Sequence, residues 1–221
     1  MNEDELKKIK DIENAFSPNQ SESSSAFQKL SDFFVKFYES LPKETVFTRE
    51  RTASIFVFGL DKAGKTTIIN RLKQNLFTDP VQTTNINIVR LLFENLSVTA
   101  YDAAGQKIYR KLWEDHLKRQ DGLVFVLDVT DEERYSEAAS ELHRISSMSE
   151  LRKVPLLILF NKIDLKKPKT KQLISKLKLK KIKNKARPIK YFKTSAKTNE
   201  GIGESFNWMA VQILNGILGR K

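Results

Sequence analysis

The stretch that decides the fold is GLDKAGKTT, Gly59 to Thr67. An apolar run, SIFVF (Ser54 to Phe58), leads into it, and a run with helical spacing, IINRLK (Ile68 to Lys73), leaves it. Two glycines bracket four residues, and a lysine and threonines follow, which is the G-x-x-x-x-G-K-[ST] pattern of a phosphate-binding loop. Glycine lets the backbone turn tightly and approach phosphates closely. The N–H groups of Asp61, Lys62, Ala63, Gly64, Lys65, Thr66 and Thr67, with a helix N-terminus behind them, would form an anion site. Lys65 brings a cation to the outer phosphates, and Thr66 offers a hydroxyl to Mg²⁺. Out of context the pattern is a plain strand-to-helix turn. Its place between an apolar run and a helical one favours phosphate.

Working outward, strand-like and helix-like runs alternate from about Thr52. The apolar runs are 54–58, 86–94, 96–101, 123–129, 154–160 and 189–195. Segments of helical character lie at 64–74, 106–118, 132–147, 169–178 and 202–218. The second and third runs are separated by Asn95 alone and read as a hairpin. The others need crossover connections, so the expected fold is α/β: a mostly parallel six-stranded sheet with one antiparallel edge and helices on both faces.

The base is read from Asn161-Lys162-Ile163-Asp164, at the end of an apolar strand. A carboxylate at Asp164 accepts two hydrogen bonds from the N1–H and 2-amino group of guanine, a donor pair that adenine lacks. The four residues alone could be an ordinary polar turn. About 100 residues after a phosphate loop and at a strand's carboxyl end, where open α/β sheets bind ligands, they are specific. Ser195, Ala196 and Lys197 follow the last strand and would close over the base with backbone N–H groups. Asp102 follows the third strand and can reach Mg²⁺ through water. The Gly105 N–H can hold the third phosphate, and Gln106 can orient an attacking water.

Taken together, GLDKAGKTT, YDAAGQKIYRKLW, LVFVLDVTDEERYSEAASELH, PLLILFNKIDL and EGIGESFNWM resemble a small GTPase of the Ras superfamily, and its Arf/Arl branch most. The resemblance spans about Ser54 to Leu218. It implies a GTP/GDP-binding switch with Mg²⁺ as cofactor and slow hydrolysis. Thr83, in VQTTNIN, matches the switch threonine that binds Mg²⁺ and the third phosphate, with Thr84 as its neighbour and alternative. An exchange factor, a GTPase-activating protein and an effector are implied as partners. The family's P-T-x-G-x-N is Q-T-T-N-I-N here, and Ala104-Gly105-Gln106 stands for G-G-Q. Ile86, Tyr101 and His116 occupy three positions that are usually aromatic on the family's effector surface, so the partner surface is expected to differ. Arg110 lies near the site without an assigned role.

The 221 residues divide by pattern into an appendage (1–25), an amphipathic helix with linker (26–50) and the GTPase domain (51–221). Phe27, Leu30, Phe34, Phe37, Tyr38 and Leu41 would share one helical face, suited either to packing on the domain or to an anionic membrane surface exposed to it in the GTP state. The chain has no cysteine, which excludes disulfides and prenyl or palmitoyl anchors, and Asn2 stands where myristoylation needs glycine. A cytoplasmic location, peripheral on membranes in the GTP state, is expected. The net charge is +12, yet residues 166–193 hold 13 Lys or Arg and no acid, leaving −1 for the rest. That segment reads as a solvated basic face or a contact for anionic lipid; nucleic acid is disfavoured, because only Tyr191 and Phe192 offer stacking rings. A non-hydrolysing GTP-binding scaffold, or a Ras-like switch on soluble partners, is the alternative function.

Overall fold

The computed structural model describes residues 51–74, 83, 85–93, 96–182 and 187–218. The expected helix at 26–41, the appendage 1–25 and Thr84 lie outside the described residues. The strands are β1 (Arg51–Phe58), β2 (Ile86–Phe93), β3 (Leu96–Ala103), β4 (Gly122–Asp128), β5 (Leu156–Asn161) and β6 (Ile189–Lys193). They form one sheet in the order β2-β3-β1-β4-β5-β6. Only β2 runs antiparallel, paired with β3 in the register Ile88↔Tyr101 and Leu92↔Ser97; the other neighbours are parallel. The mostly parallel sheet with one antiparallel edge is the arrangement expected from the spacing of the apolar runs.

Parallel strands covered on both faces must be apolar throughout, and β5 (LLILFN) is buried at every position. Alternation then assigns each side chain to one of two cores. Phe56, Phe58 and Phe125 point to one face, where they meet Trp113, Tyr135, Leu142 and Leu173. Ile55, Val57 and Val124 point to the other, against Ile68, Ile69, Phe206 and Met209. The first face is covered by α2 (Trp113–Leu117), α3 (Tyr135–Ser146) and α4 (Thr170–Lys176), and the second by α1 (Lys65–Gln74) and α5 (Ile202–Leu218). The Trp113 ring lies edge-on to Phe58 at 5.9 Å between centroids. Each buried large side chain stabilises the fold by roughly 1.5–3 kcal/mol.

Three helical segments depart from the regular pattern, the mildest being 132–147, which opens with a 3₁₀ turn, Glu132–Arg134, before α3. Residues 106–118 form a 3₁₀ segment, Lys107–Leu112, and then α2. The cause is tertiary: Arg110 turns inward to donate to the Gly105 carbonyl, and Trp113 Nε1 donates to the Ala104 carbonyl. Helix α4 stops because Lys178 sits in the left-handed region (φ 51°), which re-phases the chain into the 3₁₀ turn Leu179–Lys181. The mixed spacing of Leu173, Leu177 and Leu179 is thereby reconciled, and all three are buried.

Candidate functional site

The carboxyl ends of β1, β3, β4, β5 and β6 converge on the phosphate loop. Gly59 (φ 142°) and Gly64 (φ 94°) hold backbone angles that L side chains rarely adopt, and a Cβ on Gly64 would lie 2.3 Å from Asn161 Nδ2. Between them Lys62 is also left-handed, at φ 61°. Lys65 opens α1 with its side chain folded back over the loop, donating to the carbonyls of Gly59 (3.1 Å) and Leu60 (2.8 Å). Burial pushes its ammonium down to about 8, against the opposing pull of Asp102 and Asp61. Thr67 is half-buried on the same first turn.

Three oxygens gather beside Lys65. Thr66 Oγ1 donates to Asp102 Oδ2 at 2.6 Å and lies 3.1 Å from Thr83 Oγ1. Asp102 is buried at the end of β3, and burial raises its carboxyl above the ordinary range, with the Thr66 bond and Lys65 opposing. Its Oδ1 is buried with no hydrogen-bond partner. An unpaired carboxylate oxygen next to two hydroxyls suits a hard divalent cation. A site with one carboxylate fits Mg²⁺, which takes few protein ligands and completes its shell with waters and phosphates. Among the described residues no cluster of three His, Cys, Asp or Glu could hold a metal by itself.

Gly105 packs directly on the phosphate loop; a Cβ there would lie 2.3 Å from the Asp61 nitrogen. Its neighbour Gln106 is half-buried in extended backbone at the start of the 3₁₀ segment. Arg110 is buried and committed: it bonds the Gly105 carbonyl (2.9 Å) and pairs with Glu137 (2.7 Å) and Glu141 (3.3 Å).

The base-side residues form a second cluster joined to the first. Asn161, buried at the end of β5, donates from Nδ2 to the Ala63 carbonyl (2.9 Å) and accepts on Oδ1 from the Ala196 N–H (3.2 Å). Ser195 Oγ donates to Asp164 Oδ1 at 2.6 Å, so the carboxylate is held by a buried hydroxyl. Lys162, left-handed at φ 69°, pairs with Asp128 Oδ2 at 2.6 Å. Lys197 is exposed, and its carbonyl accepts from Arg71 Nη2 at 2.7 Å.

Local pattern gave no sign of three participants. Arg71 fastens the carbonyls of Ala196 and Lys197 to α1. Asp128 holds Lys162, and Arg134 pairs with Asp61. Their partners lie far along the chain, so no short spacing could reveal them.

A six-stranded sheet of this order, with a phosphate loop after β1 and an Asn-Lys-x-Asp run after β5, defines a small GTPase of the Ras superfamily. The family model of the ADP-ribosylation factor family matches residues 40–213. ADP-ribosylation factor K of Dictyostelium discoideum is 30% identical over 193 residues, covering 87% of this chain and 98% of that protein. The solved structure of the Arl6 BBS3 small GTPase from Trypanosoma brucei, with bound nucleotide analogue GppNp, superposes with a TM-score of 0.68 at 27% identity, covering 74% of this chain and 98% of that one. The chain belongs to the ADP-ribosylation factor family, whose members bind GTP and GDP with Mg²⁺.

Proposed function

We propose that this chain is a switch that binds GDP and GTP with Mg²⁺ and hydrolyses GTP slowly. The observation that carries the reading is Asn161, whose side chain ties the phosphate loop at Ala63 to the base loop at Ala196. A single amide so placed sets the distance between a phosphate site and a guanine site. Asp164, held by Ser195, takes the guanine edge; the loop N–H groups and Lys65 take the phosphates. Thr66, Thr83 and, through water, Asp102 would hold Mg²⁺, which when bound offsets charge on the outer phosphates. Gln106 orients the attacking water.

The isolated protein hydrolyses slowly in this reading, because Arg110 is spent on Gly105, Glu137 and Glu141 and no other arginine reaches Gln106 among the described contacts. A GTPase-activating partner would supply one. The test is single-turnover GTP hydrolysis by wild type and Gln106→Leu. A slow wild-type rate, reduced about tenfold or more in the variant, is expected for a lost water-positioning group. Equal rates would favour a non-hydrolysing scaffold, and a fast unassisted wild type would remove the need for a partner's arginine.

The second component is peripheral membrane contact. No helix among the described residues is long and apolar enough to cross a membrane. Support comes from the helical spacing of apolar residues in the sequence at 26–41 and from the basic segment 166–193, in which Lys167, Lys171, Lys176, Lys178, Lys180 and Lys181 are exposed. GTP binding would free the N-terminal helix while the basic face adds attraction to anionic lipid.

A further inference from the structure

The loop that leaves β4 carries charges that reach both halves of the site. Asp128 accepts from Lys162 on Oδ2 and from Thr130 N and Oγ1 on Oδ1. The Val129 N–H donates to the Asn161 carbonyl at 3.1 Å. On the far side, Tyr135 Oη donates to the Val129 carbonyl at 2.7 Å, fixing the loop from below. From this base Arg134 extends to the phosphate loop. Its Nε and Nη2 pair with Asp131 Oδ2 at 2.7 and 2.5 Å, its Nη1 donates to Asp61 Oδ1 at 2.8 Å, and Nη2 also reaches the Asp61 carbonyl at 3.4 Å.

Asp61 poses a physical problem. It places a carboxylate in a loop built to hold anions, and like charges repel most strongly where water is scarce. A guanidinium that binds both its carboxylate and its carbonyl fixes the loop's direction and, being shared with Asp131, offsets part of its charge. The position is sensitive, because Gly105 packs against the Asp61 nitrogen and Asp61 acts on the buried Lys65 with a sign opposite to that of Arg134.

Resting on the nucleotide reading above, we propose that Arg134 is a positioning residue that orients Asp61 and offsets part of its charge, so that the phosphate loop tolerates the extra charge of a third phosphate. Arg134 touches neither the base loop nor the magnesium oxygens. Its influence therefore falls on the phosphate loop and weighs more on GTP than on GDP.

The test is the dissociation rate of fluorescent GDP and of a fluorescent non-hydrolysable GTP analogue from full-length wild type, Arg134→Ala, Arg134→Lys and the double variant Arg134→Ala/Asp61→Asn, with Mg²⁺ held constant. For a half-exposed pair in a network, Arg134→Ala should speed loss of the GTP analogue about fivefold and of GDP about twofold. Arg134→Lys should fall between, and the double variant should return toward wild type because the unpaired carboxylate is gone. Melting temperatures separate the alternative: a role confined to folding would lower Tm and speed both nucleotides equally, with no rescue by Asp61→Asn, and would overturn the proposal. Wild-type rates in Arg134→Ala would overturn it as well. A wild type that retains neither nucleotide would instead overturn the nucleotide reading, and this proposal with it.

Discussion

Lys65 is a buried ammonium that, in the proposed function, meets phosphate. Burial holds it at about 8, below the ordinary 10.5, so between these values the unfolded chain keeps a proton that the folded one has lost. Stability from this group therefore rises with pH across that window. Nucleotide affinity runs the other way, because phosphate needs the charged form. GDP affinity of nucleotide-free protein, measured by titration from pH 7 to 9.5 at fixed Mg²⁺, should fall above about pH 8 by up to tenfold per unit. A flat profile would remove Lys65 as the titrating contact. At this scale the sequence was legible wherever roles sit at fixed short spacing. Gly59, Gly64, Lys65, Thr66, Asn161 and Asp164 could be read that way, and the structure brings Thr83 and Asp102 each within hydrogen-bonding distance of Thr66. Arg71 and Arg134 could not be read, since their partners are 125 and 73 residues away and an arginine on a helix or turn usually has only solvent to meet.

Among the elements, the 3₁₀ segment and α2 are the ones whose form follows from tertiary contacts. Trp113 fills the space over Phe56 and Phe58 and also donates to the Ala104 carbonyl, next to Gly105 and Gln106. Replacing it by Phe keeps most of the apolar area and removes the donor, leaving a buried carbonyl unpaired. Trp113→Phe should cost roughly 1–3 kcal/mol in urea unfolding. GTP hydrolysis should slow as well, because the peptide leading into Gln106 loses its anchor. Unchanged stability together with unchanged turnover would show that the indole N–H is dispensable. Strand positions were legible because strands covered on both faces are continuous apolar runs, as in β4 and β5. The break at Lys178 was not, because a left-handed lysine has no composition signature of its own.

For the whole molecule, charge is the organising asymmetry: +12 overall, with the surplus in 166–193. The exposed lysines of α4 and the following 3₁₀ turn belong to the connection between β5 and β6, the last two strands of the sheet order, whereas the exposed apolar Ile88 and Leu92 lie on β2 at its other end. Co-sedimentation with anionic vesicles should exceed that with neutral ones and weaken with salt. Reversing Lys178, Lys180 and Lys181 to Glu should reduce it about tenfold or more, at about 1 kcal/mol per basic residue near an anionic surface. Comparing GDP with a GTP analogue, with and without residues 1–45, isolates the N-terminal contribution. Indifference to both charge reversal and lipid charge would mark the basic face as merely solvated.

Asn161 has one further consequence, in time. It bridges Ala63, 98 residues earlier, to Ala196, 35 residues later, and Arg71 adds a second long clasp to the same late loop. A chain emerging from the ribosome therefore exposes its phosphate loop long before it owns a place for the base. Parallel pairing of β1 with β4, and of β5 with β6, delays closure in the same way. Nascent chains halted before about residue 196 would hold an unfinished cradle, and guanine nucleotide would be captured only near the end of synthesis. The ligand would then act as a seal on completed molecules, favouring those in which the last strand has docked.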